Sequence, residues 1–336
     1  IGNNITTNHI GVALKNSSCN NIIDNRIFTN VYWSIGIDLD YSSNNTIQRN
    51  SVSDNFIGIA LSGSFNTVSF NNISNNIYAG ISLTNSLINI ISLNDIKGKQ
   101  RGISIVQSSD NIIRYNNVTG GHDYALWLDN AFGNIVYGNE IFGNDRGIFV
   151  YQSSGNSIFG NDLVNNGMGV GFSESSDNRF FHNNLIHNYE QVFIYGSVTN
   201  IWDENYPSGG NYWDDHVSVD EYCGLYQNVT GSDGISDMSY IIDENNVDMY
   251  PLMGPFNSFN TSVGYSVDVV SNSTIEDFKY FESNSTIIMH VSNMTADQAF
   301  GFCRLTIPHN VMSPPYTVKV NGTTIEYQTI YENHTE

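Results

Sequence analysis

"GIALSGSFNTVSFNNISNNIYAGISL", residues 58–83, begins and ends on one pattern: a small residue, then apolar–x–apolar. The two copies stand 22 residues apart. Between them lie two further short apolar runs, centred on Val68 and Ile73. Each run alternates with period two and is too short for a helix, so each reads as a strand. Three strands in one period describe a single coil of a parallel β-helix.

The pattern recurs at Gly11, Gly36, Gly58, Gly80, Gly102, Ala125, Gly147, Gly169 and Gln191, with spacings of 25, 22, 22, 22, 23, 22, 22 and 22. Two asparagine series keep the same register. One is Asn21, Asn45, Asn66, Asn89, Asn111, Asn134, Asn156, Asn178 and Asn200; the other is Asn25, Asn50, Asn71, Asn94, Asn116, Asn139, Asn161 and Asn183. Asparagine tolerates the left-handed backbone of a tight corner, and its amide can bond along the axis into a ladder. Coils stack about 4.8 Å apart, so nine give a rod about 45 Å long. One coil buries about four apolar side chains at roughly 1.5–3 kcal/mol each. Ordering its residues costs about 1–2 kcal/mol apiece, so stability must come from stacking. The crossover rule predicts a right-handed coil.

Acids outnumber bases 33 to 12, giving a formal charge of −21 over 336 residues. That excludes nucleic acid and anionic membrane surfaces as partners, since both need basic patches. Cys19, Cys223 and Cys303 are widely spaced and make neither a zinc motif nor a disulfide framework. The reading for them is isolated thiols, with one disulfide as the rival. Twelve Asn-x-Ser/Thr sequons occur. The glycosylation candidates are Asn72, Asn117, Asn228, Asn260, Asn272, Asn284, Asn293 and Asn321, which favour an exported protein at the cell surface or outside the cell. The first residue is Ile, which predicts a processed or partial product. A membrane role is expected only through a segment outside this chain.

Over residues 1–205, the "NN-x-I-x-x-N-x-I…G-I-x-L" coils resemble the carbohydrate-binding and sugar-hydrolase β-helix repeats of NosD-like periplasmic proteins and archaeal surface proteins. The block "GNYWDDH" (210–216), "DGISD" (233–237) and "YIIDENNVDMYPL" (240–252) resembles the segment that closes the β-helix in that group. The resemblance implies a cap over 206–256, with Tyr212, Trp213, Tyr240, Ile242, Tyr250 and Leu252 covering the open end. "VVSNSTIEDFKYF…GFCRLTIP…YTVKVNG" resembles an immunoglobulin-like domain, expected over 257–336 as a small β-sandwich, complete or lacking its final strand. The expected fold is thus all-β: a right-handed parallel β-helix of about nine coils, a C-terminal cap and a sandwich.

Several residues could carry chemistry. Asp38 and Asp40 share one strand face, a spacing that suits a glycosidase pair. Arg101 closes the cluster "KGKQR" and could serve a lyase. The outward residue of each "G-I-x-L" run reads Ala13, Asp38, Ala60, Ser82, Ser104, Trp127, Phe149, Gly171, Phe193. The next outward position adds Asp129, Tyr151, Ser173 and Tyr195. Trp127, Phe149, Tyr151, Phe193 and Tyr195, with Asp129, form a candidate glycan-stacking platform. "DGISD" resembles a calcium loop, with Asp233, Asp237 and the Ile235 carbonyl as ligands and Asp214, Asp215 or Asp220 completing the shell. NosD-like proteins are linked to copper, but the eight His are scattered.

The leading expectation is a non-enzymatic surface protein with a structural, adhesive or glycan-binding role. Self-assembly through an open β-helix end or sandwich edge is a further expectation. The alternatives are a polysaccharide lyase or hydrolase acting on the outer face, and copper handling.

Overall fold

The computed structural model describes residues 1–28 and 33–332. Contacts divide them into two units. The first holds Ile1–Trp202 with Trp213–Asp215 and Ile241–Val247; the second holds Asp203–Tyr212, His216–Tyr240 and Asp248–Glu336.

The first unit is the β-helix. Its main sheet has nine parallel six-residue strands, from Ile10–Lys15 to Glu190–Tyr195. Two further parallel sheets are built from three-residue strands, one running from Asn21–Ile23 to Arg179–Phe181 and the other from Asn4–Thr6 to Asn184–Ile186 and on to Trp213. Register is kept from coil to coil: Ile59, Ile81, Ile103, Leu126, Ile148 and Val170 are successive partners. Each of these six is fully buried. The small residue of the repeat has a steric cause. A Cβ on Gly58 would stand 2.5 Å from the carbonyl oxygen of Gly80 in the next coil.

The asparagines form the predicted ladders. Each Oδ1 accepts from the backbone N–H and the amide of the Asn one coil earlier, as Asn116 Oδ1 does from Asn94 at 3.1 and 2.9 Å. Two details differ from the sequence reading. The first rung of one ladder is Asn20, not Asn21: Asn20 donates to Asn45 Oδ1 at 2.9 Å. And the ladder asparagines do not hold the left-handed corners. The positive φ falls on the preceding residue, whatever its type, at every rung before Asn200: Phe65, Phe70, Ile88, Leu93 and Tyr115 all lie between 54° and 58°. Bonds on either side pin those residues against their own preference. Asparagine is there for its amide, which satisfies buried backbone groups at the corners. A third ladder runs Asn144, Asn166, Asn188.

The far end of this unit is closed by aromatic packing. Trp202 and Trp213 are almost fully buried, 6.1 Å apart, and Trp202 meets Phe172 and Phe180 edge-on. Asn246 supplies one more rung, its Oδ1 accepting from Asn200 N at 3.0 Å. The segment read as one cap, 206–256, is therefore shared out. Trp213–Asp215 and Ile241–Val247 complete the β-helix, while Tyr212, Tyr250 and Leu252 belong to the second unit. There they pack with Ile235 and Val270.

The rest of the second unit is small antiparallel sheets. Phe256–Asn260, Ser266–Ser271 and Cys303–Thr306 make one. Ser273–Phe281 pairs with Thr286–Asn293, and Val318–Val320 with Thr323–Ile325. Val267, Val269 and Val311 form the core, with Phe259 and Phe278 stacked 4.5 Å apart against it.

Candidate functional site

Each six-residue strand turns its first, fourth and sixth side chains outward. Parallel register then sets these in three columns. Tyr124, Arg146, Met168 and Glu190 follow one another in the first; Ser104, Trp127, Phe149, Gly171 and Phe193 in the second; Val106, Asp129, Tyr151, Ser173 and Tyr195 in the third. The second and third columns are the predicted aromatic stripe, assembled in the expected order.

The stripe is a packed floor rather than a freely exposed ladder. Trp127 and Phe149 stack at 5.4 Å with planes 4° apart. Phe149 reaches Phe193 at 6.3 Å although a whole coil intervenes. It can lean because the intervening position is Gly171, where a Cβ would come within 2.6 Å of the Phe149 ring. Phe149 is only 8% exposed, whereas Tyr195 is 60% exposed. Tyr124 joins the floor from the first column, 4.6 Å from Trp127 and 5.1 Å from Phe149.

Arg101 lies over Trp127 at 4.6 Å and over Tyr78 at 5.2 Å, and it donates to the Tyr78 hydroxyl at 3.0 Å. Its ion-pair partner is Asp123, at 3.6 Å. Asp123 also takes Arg146, at 3.1 Å, whose guanidinium covers Tyr124 at 4.9 Å. Burial pushes the Tyr124 hydroxyl above its usual pKa. Beside this cluster opens a groove of about 550 Å³, lined by Tyr124, Phe149, Met168, Phe193, Asp145, Arg146, Gly167 and Glu190. That volume is in the range of small-ligand sites. Gly167 and Gly171 open it, since their coil sends few side chains outward. Ser104 Oγ and Trp127 Nε1 are buried without a hydrogen-bond partner among the described residues.

The sequence reading found the second and third columns but missed Tyr124, Arg146, Asp145 and Glu190. A signal was available: "HDYALWLD" and "NDRGIFVY" carry an acid and then Tyr or Arg one period apart.

The catalytic candidates are not assembled. Asp38 is half-buried, and burial, then Asp40, raises its carboxyl above the ordinary value. Asp40 pairs with Lys15 at 3.2 Å. Arg101 stands three coils further on, about 14 Å along the axis at the usual strand spacing, and at the opposite end of its strand.

The calcium candidates fall in both units: Asp214 and Asp215 in the first, Asp233, Ile235 and Asp237 in the second. Asp214 accepts from His187 N at 2.6 Å, from the His187 ring and from Gln191. Asp233 accepts from Ile235 N at 3.0 Å and from Gln227 Nε2 at 3.1 Å. Asp237 accepts from Glu221 N and Tyr222 N, and Asp220 from Asp233 N and Gly234 N. These carboxylates cap turns. They would supply a calcium shell of six to eight oxygens only if the amides let go. Among the described residues, no group of three His, Cys, Asp or Glu is placed to hold a metal ion, so the side chains do not fit a copper centre either. The three cysteines are free thiols.

Of the sequon asparagines named above, Asn72, Asn228, Asn260, Asn284, Asn293 and Asn321 are exposed, while Asn117 and Asn272 are half-buried. A further sequon, at Asn333, lies outside the described residues.

Residues 65–218 match the family described as periplasmic copper-binding protein (NosD), and residues 1–96 match the right-handed β-helix region family. Among solved structures, the chain is similar to a variant of a periplasmic alginate epimerase, with 22% identity and a TM-score of 0.48 over 59% of this chain and 58% of that one. It is also similar to the enzymatically active domain of bacteriophage CBA120 tailspike protein 2, with 10% identity and a TM-score of 0.51 over 86% of this chain and 49% of that one. The chain thus spans about half the length of these structures, and such likenesses speak to fold alone. Curated proteins gave no match. The two family matches and the observed coils agree: the chain carries a right-handed β-helix that is NosD-like over residues 65–218.

Proposed function

We propose that this chain is an exported β-helix protein that binds a glycan along the outer face of its six-residue strands. One observation carries the reading. An aromatic floor of Tyr124, Trp127, Phe149 and Phe193 borders a groove of about 550 Å³ rimmed by charged side chains. Aromatic faces pack the C–H faces of a pyranose, while Arg donors and carboxylate acceptors bond its hydroxyls. The family match to a periplasmic group supports export. No helix among the described residues is long and apolar enough to cross a membrane. A structural or adhesive role at the cell surface is compatible with such a module.

A second reading rests on Asp38 and Asp40. Burial, then Asp40, raises the Asp38 carboxyl above its ordinary value, while Asp40 lies beside Lys15 at 3.2 Å. Two carboxyls in unlike surroundings on one strand face are the arrangement that acid–base catalysis on a glycosidic bond uses. Calcium at Asp233, Ile235 and Asp237 is a separate proposal, conditional on release of their amide partners.

A glycan array tests the main reading. The protein should be retained on a defined set of oligosaccharides, and Phe149→Ala should lose that retention while keeping the β-sheet circular dichroism. Retention that survives Phe149→Ala would place binding elsewhere.

A further inference from the structure

We infer that the groove selects an amino sugar over a uronate, an inference that rests on the glycan reading above. The argument is a charge inventory. The cations at the site are already engaged: Arg101 is held over Trp127 and Tyr78 with its side chain 18% exposed, and it shares Asp123 with Arg146. The carboxylates at the groove are not. Asp145 and Glu190 line it, are exposed, and have no side-chain hydrogen bond or ion pair among the described residues. The local balance of Arg101, Arg146, Asp123, Asp145 and Glu190 is therefore negative, within a chain of formal charge −21.

A sugar laid on Phe149 and Phe193 would remove water from the two free carboxylates. Desolvating a carboxylate costs free energy unless a donor or cation replaces the water. A uronate would bring a third negative charge to that place. An ammonium group would instead face both acids and the electron-rich faces of the aromatic floor, which attract cations. The surrounding negative field also concentrates cationic ligands near the face. The chemistry that completes this groove is a pyranose carrying a free amine.

Calorimetry with three tetramers tests this: glucosamine, its N-acetylated counterpart, and galacturonate. The glucosamine tetramer should bind about tenfold more tightly than the N-acetylated one, roughly 1.4 kcal/mol. Galacturonate should show no saturable binding. In the double variant Asp145→Asn, Glu190→Gln, the ratio between amine and acetamide should fall to about one. If the ratio survives that change, the preference is general attraction to an acidic protein and the inference is overturned. Equal binding of amine and acetamide, or tighter binding of galacturonate, overturns it while leaving the glycan reading intact. Failure of all three tetramers, together with a blank array, overturns the glycan reading itself.

Discussion

Asn246 Oδ1 accepts the backbone N–H of Asn200 at 3.0 Å, repeating across a 46-residue gap the bond that each ladder asparagine makes to the next coil. The same oxygen accepts Trp202 Nε1 at 3.0 Å, and the Asn246 amide donates to Val198 O at 3.0 Å. The β-helix is thus finished by a borrowed rung. Asn246→Ala should orphan these buried groups at about 1–3 kcal/mol each. Hydrogen exchange should quicken first at Asn200 and Trp202 and fade over the preceding coils, since each coil leans on its neighbours. Unchanged exchange there would contradict the capping role.

Within the ladder, the amide matters as a donor and an acceptor together. Asn116 Nδ2 faces three acceptors, Ile91 O, Arg114 O and Asn139 Oδ1, at 2.9–3.1 Å. Asn116→Asp would set an oxygen against all three, so it should destabilise more than Asn116→Ala at neutral pH. Burial would raise the introduced carboxyl's pKa in the folded state, so the deficit should shrink as pH falls and the proton returns a donor. Denaturation at two pH values checks the order. Asn116→Asp being the milder change would contradict the account.

Asp38 gives a pH prediction in the wild-type chain. Its folded pKa is raised from the ordinary 3.8, chiefly by burial and then by Asp40. The folded form therefore holds its proton more tightly than the unfolded chain. The associated stability is present at low pH and is lost as pH rises through the folded pKa. Asp38→Asn should accordingly be more stable than wild type at pH 7, and the difference should vanish below pH ~3. A difference that grows on acidification would refute the assignment.

The calcium proposal has a distinctive signature. Binding would have to pull Asp233 and Asp237 from their amide partners, including Gln227, Glu221 and Tyr222. Calcium should then raise the melting temperature while exchange at Glu221 N and Tyr222 N quickens. A melting temperature indifferent to both calcium and chelator would rule the site out.

Much of this was legible in the sequence because a β-helix turns spacing directly into neighbourhood. Trp127 and Phe149 are 22 residues apart and therefore stack. The core residues Val68, Ile73, Ile81 and Leu83 were readable for the same reason. Less legible was what happens across a column. Arg101 read as the end of a basic cluster that could serve a lyase, yet its guanidinium sits 4.6 Å over Trp127 because the first strand position also faces outward. The stack Tyr137, Phe159, Phe181 on the eight-stranded sheet, with rings 5.2 Å apart, was equally periodic and went unread. Its residues end three-residue strands, where alternation is too short to register. The division of 206–256 between two units was not legible, because no repeat governs it.

The central claim is that the aromatic groove binds glycan. Its most direct test is calorimetric titration of the oligosaccharides retained on the array into wild type, Trp127→Ala and Gly171→Val. The last substitution would push a side chain into the Phe149 ring, since even a Cβ would stand 2.6 Å away. The account predicts saturable binding to wild type and an affinity loss of at least about tenfold, roughly 1.4 kcal/mol, in both variants with the β-helix intact. Wild-type affinity in both folded variants would contradict it.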